Sequence, residues 1–192
     1  MISSSGIKEK AQEILRPFAV GIGSLGVSPN TVTVLGFLLS ALSGYLLSEG
    51  NLLGGALSLA LSGFCDVLDG IIARTMRSSS KVGAFLDSFL DRYSDFFPLA
   101  GLTYFGHTTN SDLIIVSALF SLVGSFSTSY ARARAESLGI DCKKGLFERP
   151  ERVILLILGL LTGYIGETLL ILALFSNLTA VQRLNCVLRS SR

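Results

Sequence analysis

The centre of the chain reads Asp66-Val67-Leu68-Asp69-Gly70-Ile71-Ile72-Ala73-Arg74, then eight residues, then Gly83-Ala84-Phe85-Leu86-Asp87-Ser88-Phe89-Leu90-Asp91. Asp66 and Asp69 stand three apart, Asp87 and Asp91 four apart, so each pair projects from one face of its own helix. The flanking residues are those of membrane helices, where ionisable groups are functional by default. Two unrelated pairs of solvated surface acids would not need such flanks. Four carboxylates converging at low dielectric repel one another unless protons or a cation neutralise them. Oxygen-only donors match Mg²⁺ or Mn²⁺, with Ca²⁺ able to fit; the lack of His or Cys among them argues against zinc.

Asp66, Asp69, Gly70, Ala73, Arg74, Gly83, Asp87 and Asp91 fill every fixed position of the pattern D-x2-D-G-x2-A-R-x8-G-x3-D-x3-D. In this the chain resembles the CDP-alcohol phosphotransferase family. The resemblance implies that a CDP-linked lipid lies in the bilayer with its pyrophosphate on two Mg²⁺ or Mn²⁺ ions. An alcohol hydroxyl attacks and CMP leaves. It further implies that Asp91 is the general base, that Asp66, Asp69 and Asp87 are metal ligands, and that Asp91 also contacts the second metal. Pro29, Asn30, Thr31 and Val32, with Gly70 and Ser80, are implied as nucleotide contacts, and a homodimer is implied as the assembly. Arg74, one turn past Asp69, either binds phosphate through two N–H groups or snorkels at the interface.

Hydrophobic residues make up 49% of the 192-residue chain and charged residues 16%, with a mean hydropathy of +0.59. Those values point to a polytopic membrane protein of one domain, residues 1–192. The net charge is only +2, and the basic residues are not interleaved with aromatics, so nucleic acid is not an expected partner. Cys65, Cys142 and Cys186 are an odd number without C-x-x-C spacing. Each is read as a small buried or interfacial hydrophobe, not part of a disulfide framework. Residues 1–30 lack a continuous apolar run before a cleavage site, so no signal peptide is expected.

The expected fold is all-α: an amphipathic interfacial helix over 7–24, then a six-helix transmembrane bundle over 31–187. Ile7, Ala11, Ile14, Leu15, Phe18 and Ile22 share one face of the first helix, which Pro17 should kink or end. Ser28-Pro29-Asn30-Thr31 is a helix start, with Ser or Asn as cap and Pro in the first turn. Apolar segments follow near 31–48, 52–75, 83–105, 112–136, 150–165 and 167–187. Glycines four apart, Gly50 with Gly54 and Gly159 with Gly163, offer close helix approach.

Lys and Arg gather in the N-terminal segment, between the second and third spans, between the fourth and fifth, and at the C-terminal end. The other connections have none. The positive-inside rule then places both termini and the acidic motif on the cytoplasmic side of the cell membrane.

Arg132 and Arg134 end one helix, while Arg149 and Arg152 begin the next. Basic residues at a helix N-terminus oppose the dipole, and a bound phosphate would offset that; topology-setting charge is the other reading. The run Arg134-Ala135-Glu136, followed by Glu148-Arg149-Pro150-Glu151-Arg152, resembles the family members that join inositol 1-phosphate to CDP-diacylglycerol or CDP-archaeol. Those four arginines are the expected acceptor-phosphate ligands, with Lys144 and Arg183 as lesser candidates. Arg132 stands where bacterial members commonly carry Lys, which keeps the charge but changes the donor geometry. Glycerol 3-phosphate is the alternative acceptor, and a small cation-site transporter the distant alternative function.

Overall fold

Residues 15–24, 26–76, 80–142 and 145–190 are described by the computed structural model. All secondary structure among them is helical. Residues 15–24 form α1. Then come α2 (Pro29–Ser48), α3 (Leu52–Thr75), α4 (Lys81–Thr108), α5 (Asp112–Ser137), α6 (Arg149–Thr162) and α7 (Ile165–Ser190). Each apolar segment read from the sequence is a helix whose ends agree to within a few residues.

Four of these helices, α2, α3, α5 and α7, are long and apolar enough to cross a membrane. The other two depart from the six-span expectation for different reasons. α4 runs 28 residues but carries Lys81, Asp87, Asp91, Arg92 and Asp95. α6 has 14 residues, about 21 Å at 1.5 Å per residue, short of ~30 Å of hydrocarbon.

The described residues fall into two compact units. One holds the residues up to Leu39 and Leu61–Ser94; the other holds Ser40–Ala60 and the residues from Asp95 on. In the first, Ala19, Val32, Cys65, Leu68, Ile71 and Ile72 form an apolar cluster, with Leu15 and Ile22 packed against it. So α1 turns Leu15, Ala19 and Ile22 inward and leaves Phe18 exposed. The helix continues through Pro17. The remainder of the expected interfacial helix, residues 7–14, lies outside the described residues. Ser28 caps α2, its Oγ accepting from Thr31 N at 3.2 Å. Ser62 Oγ donates to the Gly36 carbonyl at 2.7 Å, joining α2 and α3 where a small residue admits close approach.

In the second unit the apolar cluster includes Leu47, Leu59, Leu102, Leu169 and Leu172. The buried face of α5 is made of small residues, Ser117, Ala118, Ser121, Gly124, Ser125 and Thr128. Ser121 and Thr128 donate to the carbonyls of Leu169 and Ser176 at 3.1 and 2.9 Å. Lipid gives no hydrophobic reward for helix association, so close packing and hydrogen bonds between small residues must hold α5 on α7. The glycine pairs read from the sequence divide their roles. Gly159 faces the Thr168 side chain with no room for a Cβ, whereas Gly50 and Gly163 take left-handed conformations that end helices.

One expectation is overturned. Cys142 and Cys186 form a disulfide with a Cα–Cα distance of 6.1 Å across a sequence separation of 44. Only Cys65 is a free, buried thiol among the described residues. An odd cysteine count hides a single bridge, because pairing depends on approach in space and not on spacing. Closing a loop of this length contributes about 4 kcal/mol by the chain-entropy relation.

Leu169 is fully buried. Leu169→Ala is expected to cost about 2–5 kcal/mol, read as a lowered unfolding midpoint of the purified protein in detergent.

Candidate active site

Asp66 and Asp69 lie in the last turns of α3, and Asp87 and Asp91 early in α4. Carboxylate oxygens of Asp66, Asp87 and Asp91 all lie within 4.8 Å of one another, and each residue is half-buried. At that separation and an effective dielectric of about 20, each ionised pair repels by at least ~3 kcal/mol. A divalent cation among them would remove the repulsion, and the all-oxygen donor set suits Mg²⁺ or Mn²⁺. Arg92 Nη2 stands 3.5 Å from Asp91 Oδ2.

Asp69 is not one of that trio. It is 6% exposed, and its Oδ2 accepts a 2.6 Å hydrogen bond from Thr33 Oγ1. Thr33 was not singled out from the sequence. It sits four residues past Pro29 and three past Asn30, hence on their face of α2, which is the signal that would have found it.

Asp69 and Asp87 line a cavity of about 230 Å³ together with Pro29, Asn30, Thr33, Gly70, Ala73, Arg74, Ser80, Gly83 and Ala84. Five of the seven expected nucleotide contacts are on its wall: Pro29, Asn30, Gly70, Arg74 and Ser80. Thr31 and Val32 are not. The Thr31 hydroxyl is 2.8 Å from that of Ser28, and Val32 is buried in the apolar cluster. The walls are small where α4 begins. Gly83 N donates to Ser80 Oγ at 2.9 Å, so Ser80 caps the helix. A Cβ on Gly83 would stand 3.0 Å from Asn30 Oδ1. A Cβ on Gly70 would stand 3.5 Å from both terminal nitrogens of Arg74, in ordinary contact with them. Small walls, a helix N-terminus and one arginine suit a polyanion.

The four arginines expected to hold a phosphate separate into two kinds. Arg149 Nε and Arg152 Nη2 each stand 3.1 Å from one oxygen of Asp95, and Arg152 is 5% exposed. Arg132 and Arg134 are exposed; Arg132 pairs with Glu136 at 2.9 Å, and Arg134 Nη1 donates to Ser137 Oγ at 3.3 Å. Sequence reasoning missed Asp95, although it continues the four-residue ladder Asp87, Asp91, Asp95. Arg183 is 3% exposed, and its Nη1 donates to the Thr128 carbonyl at 2.7 Å. The Nε atoms of Arg152 and Arg183 are buried without a hydrogen-bond partner. Arg132 and Arg152, and the carboxylates of Glu148 and Glu136, are all near enough to act on the charge of Arg183. Buried cations with open donors beside other cations call for an anion.

Asp95 pairs with two of these cations at once. Asp95→Ala is expected to cost about 3–5 kcal/mol, because it leaves Arg149 and Arg152 without their shared carboxylate. Thermal unfolding of the variant beside Leu169→Ala measures it.

The CDP-alcohol phosphatidyltransferase family profile matches residues 26–180. The chain is 40% identical over 159 residues to a Methanothermobacter thermautotrophicus protein named archaetidylinositol phosphate synthase, covering 80% of this chain and 79% of that one. The crystal structure of Mycobacterium tuberculosis phosphatidylinositol phosphate synthase with CDP-DAG bound superposes with a TM-score of 0.82 at 33% identity, over 91% of this chain and 94% of the other. The same enzyme in complex with manganese and citrate gives a TM-score of 0.82 at 33% identity, over 90% and 88%. A profile match over most of the chain, on acids that converge as the motif requires, places this protein in the CDP-alcohol phosphatidyltransferase family of membrane enzymes.

Proposed function

We propose that this protein transfers a diacylglycerol- or archaeol-phosphate group from a CDP-lipid to inositol 1-phosphate and releases CMP. The observation that carries the reading is the sharing of Asp87 between the acid trio and the small-walled cavity. A nucleotide in that cavity would bring its pyrophosphate to the acids. Pro29, Asn30, Gly70, Arg74 and Ser80 are assigned to the nucleotide end, with Thr33 holding Asp69 in place.

Asp66, Asp69, Asp87 and Asp91 would hold two divalent ions, Mg²⁺ or Mn²⁺, which supply charge stabilisation on the attacking and leaving oxygens. Asp91 takes the proton of the acceptor hydroxyl. The hydroxyl oxygen bonds to the lipid-side phosphorus as the bridge to CMP breaks, and CMP leaves with the electron pair. The acceptor's own phosphate is assigned to Arg132, Arg134, Arg149 and Arg152, joined by Arg183. The buried, unpartnered Nε atoms of Arg152 and Arg183 favour that assignment. We further assign the protein to a homodimer, with acids and both termini on the cytoplasmic side.

Purified protein given CDP-diacylglycerol or CDP-archaeol is expected to release CMP with inositol 1-phosphate and not with unphosphorylated inositol. Turnover with glycerol 3-phosphate alone would overturn the acceptor, and no turnover with either would overturn the reaction. Chelation with EDTA is expected to abolish turnover, and added Mg²⁺ or Mn²⁺ to restore it. Asp91→Asn is expected to lower kcat by about 100-fold or more while Mn²⁺ binding persists through the other three acids. Titration of Mn²⁺ into the variant checks the second half of that expectation.

A further inference from the structure

α5 ends at Ser137 with Gly139 in the left-handed region; Gly139 N donates to Glu136 O at 3.0 Å and Ile140 N to Ala135 O at 2.9 Å. The chain then leaves the helix and is laid along one face of α7. Cys142 is bonded to Cys186. Leu146 N donates to Gln182 Oε1 at 3.3 Å, and the Phe147 ring stands 5.8 Å from that of Phe175. Gly145 lies between these ties. A Cβ there would come within 2.7 Å of Thr179 and within 3.4 and 3.5 Å of Arg183 Nη2 and Nε. The backbone at Gly145 is therefore one wall of the Arg183 guanidinium.

Among the described residues, the noncovalent ties of this connection to α7 include one long hydrogen bond and one tilted ring contact. The disulfide is the only covalent one, and Cys186 lies one turn past Arg183 on the same face of α7.

We propose that the Cys142–Cys186 disulfide is a positioning element for the acceptor phosphate: it pins Gly145 against α7 and so fixes the Arg183 guanidinium. The inference rests on the acceptor site proposed above. Reduction by a dithiol passes two electrons and two protons to the bridge. The S–S bond breaks, two thiols form, and the reductant closes to a cyclic disulfide. With the bridge open, the connection loses its covalent tie to α7, and phosphate binding at Arg183 loosens.

The test compares the intact enzyme before and after dithiothreitol, with Cys142→Ser and Cys186→Ser as redox-insensitive references. Denatured, unreduced wild type should show one reactive thiol, Cys65, and three after reduction. Reduction should raise the KM for the phosphate-bearing acceptor by about five-fold or more. The KM for CDP-lipid and kcat should stay within about two-fold, a split that a general loss of stability would not give. Both serine variants should already show the raised KM and ignore dithiothreitol. Three thiols without reductant, or an unchanged acceptor KM once the bridge is open, overturns the inference.

The Kd of inorganic phosphate, measured by calorimetry in both redox states, separates this result from the reaction itself. If the oxidised enzyme turns over neither acceptor but binds phosphate about five-fold more tightly than the reduced one, the reaction falls and the positioning role stands. If turnover is as proposed but KM and Kd ignore the redox state, the positioning role falls alone.

Discussion

Mutual repulsion among Asp66, Asp87 and Asp91 is the constraint on which the site depends. Their oxygens meet within 4.8 Å, at the ends of helices whose other faces are apolar. Helix packing holds them there against several kcal/mol of electrostatic cost. A divalent cation seated among them would remove that cost. Asp69 is placed differently. It is more deeply buried than its three neighbours and is satisfied from the protein side, by the Thr33 hydroxyl. Four acids of one motif thus occupy two kinds of environment, three turned toward one another and one tied to α2 and to the cavity wall.

The arginines repeat the theme with the sign reversed. Asp95 takes one hydrogen bond from each of Arg149 and Arg152, which compensates part of their burial and leaves Arg152 Nε without a partner. Arg183 finds a main-chain carbonyl instead of a carboxylate. Exposed Arg132 and Arg134, held by short-range partners on their own helix, add field more than fixed geometry.

Apolar association contributes little to selecting helix partners in lipid. The serine, threonine and glycine contacts between α5 and α7 take that role here, and they seat Arg183 beside the Thr128 carbonyl at its end of the α5–α7 contact. The same small side chains that allow close packing therefore also set where a buried cation can find an acceptor. The disulfide adds a covalent tie one turn further along α7.

Much of the fold is legible in the residues alone. Apolar runs mark the helices, because hydrophobic periodicity and length are local properties. Spacings of three and four residues put the acids in pairs on helix faces, and the cap at Ser28 follows from Ser-Pro-Asn order. What the sequence could not decide was partner choice across long separations. Thr33 meets Asp69 from 36 residues away, Arg149 and Arg152 reach Asp95 from 54 and 57, and Cys142 meets Cys186 across 44. Nor could length and composition show that Val32 would be withdrawn into the apolar cluster while Thr33 reached the cavity, since one helical step decides between them. The sequence by itself determined which residues are helical and which acids act together, because a helix repeats every 3.6 residues whatever surrounds it. Tertiary packing alone decided which charges are buried, which are paired and which are left open, because burial and partnership depend on chain segments brought together from a distance.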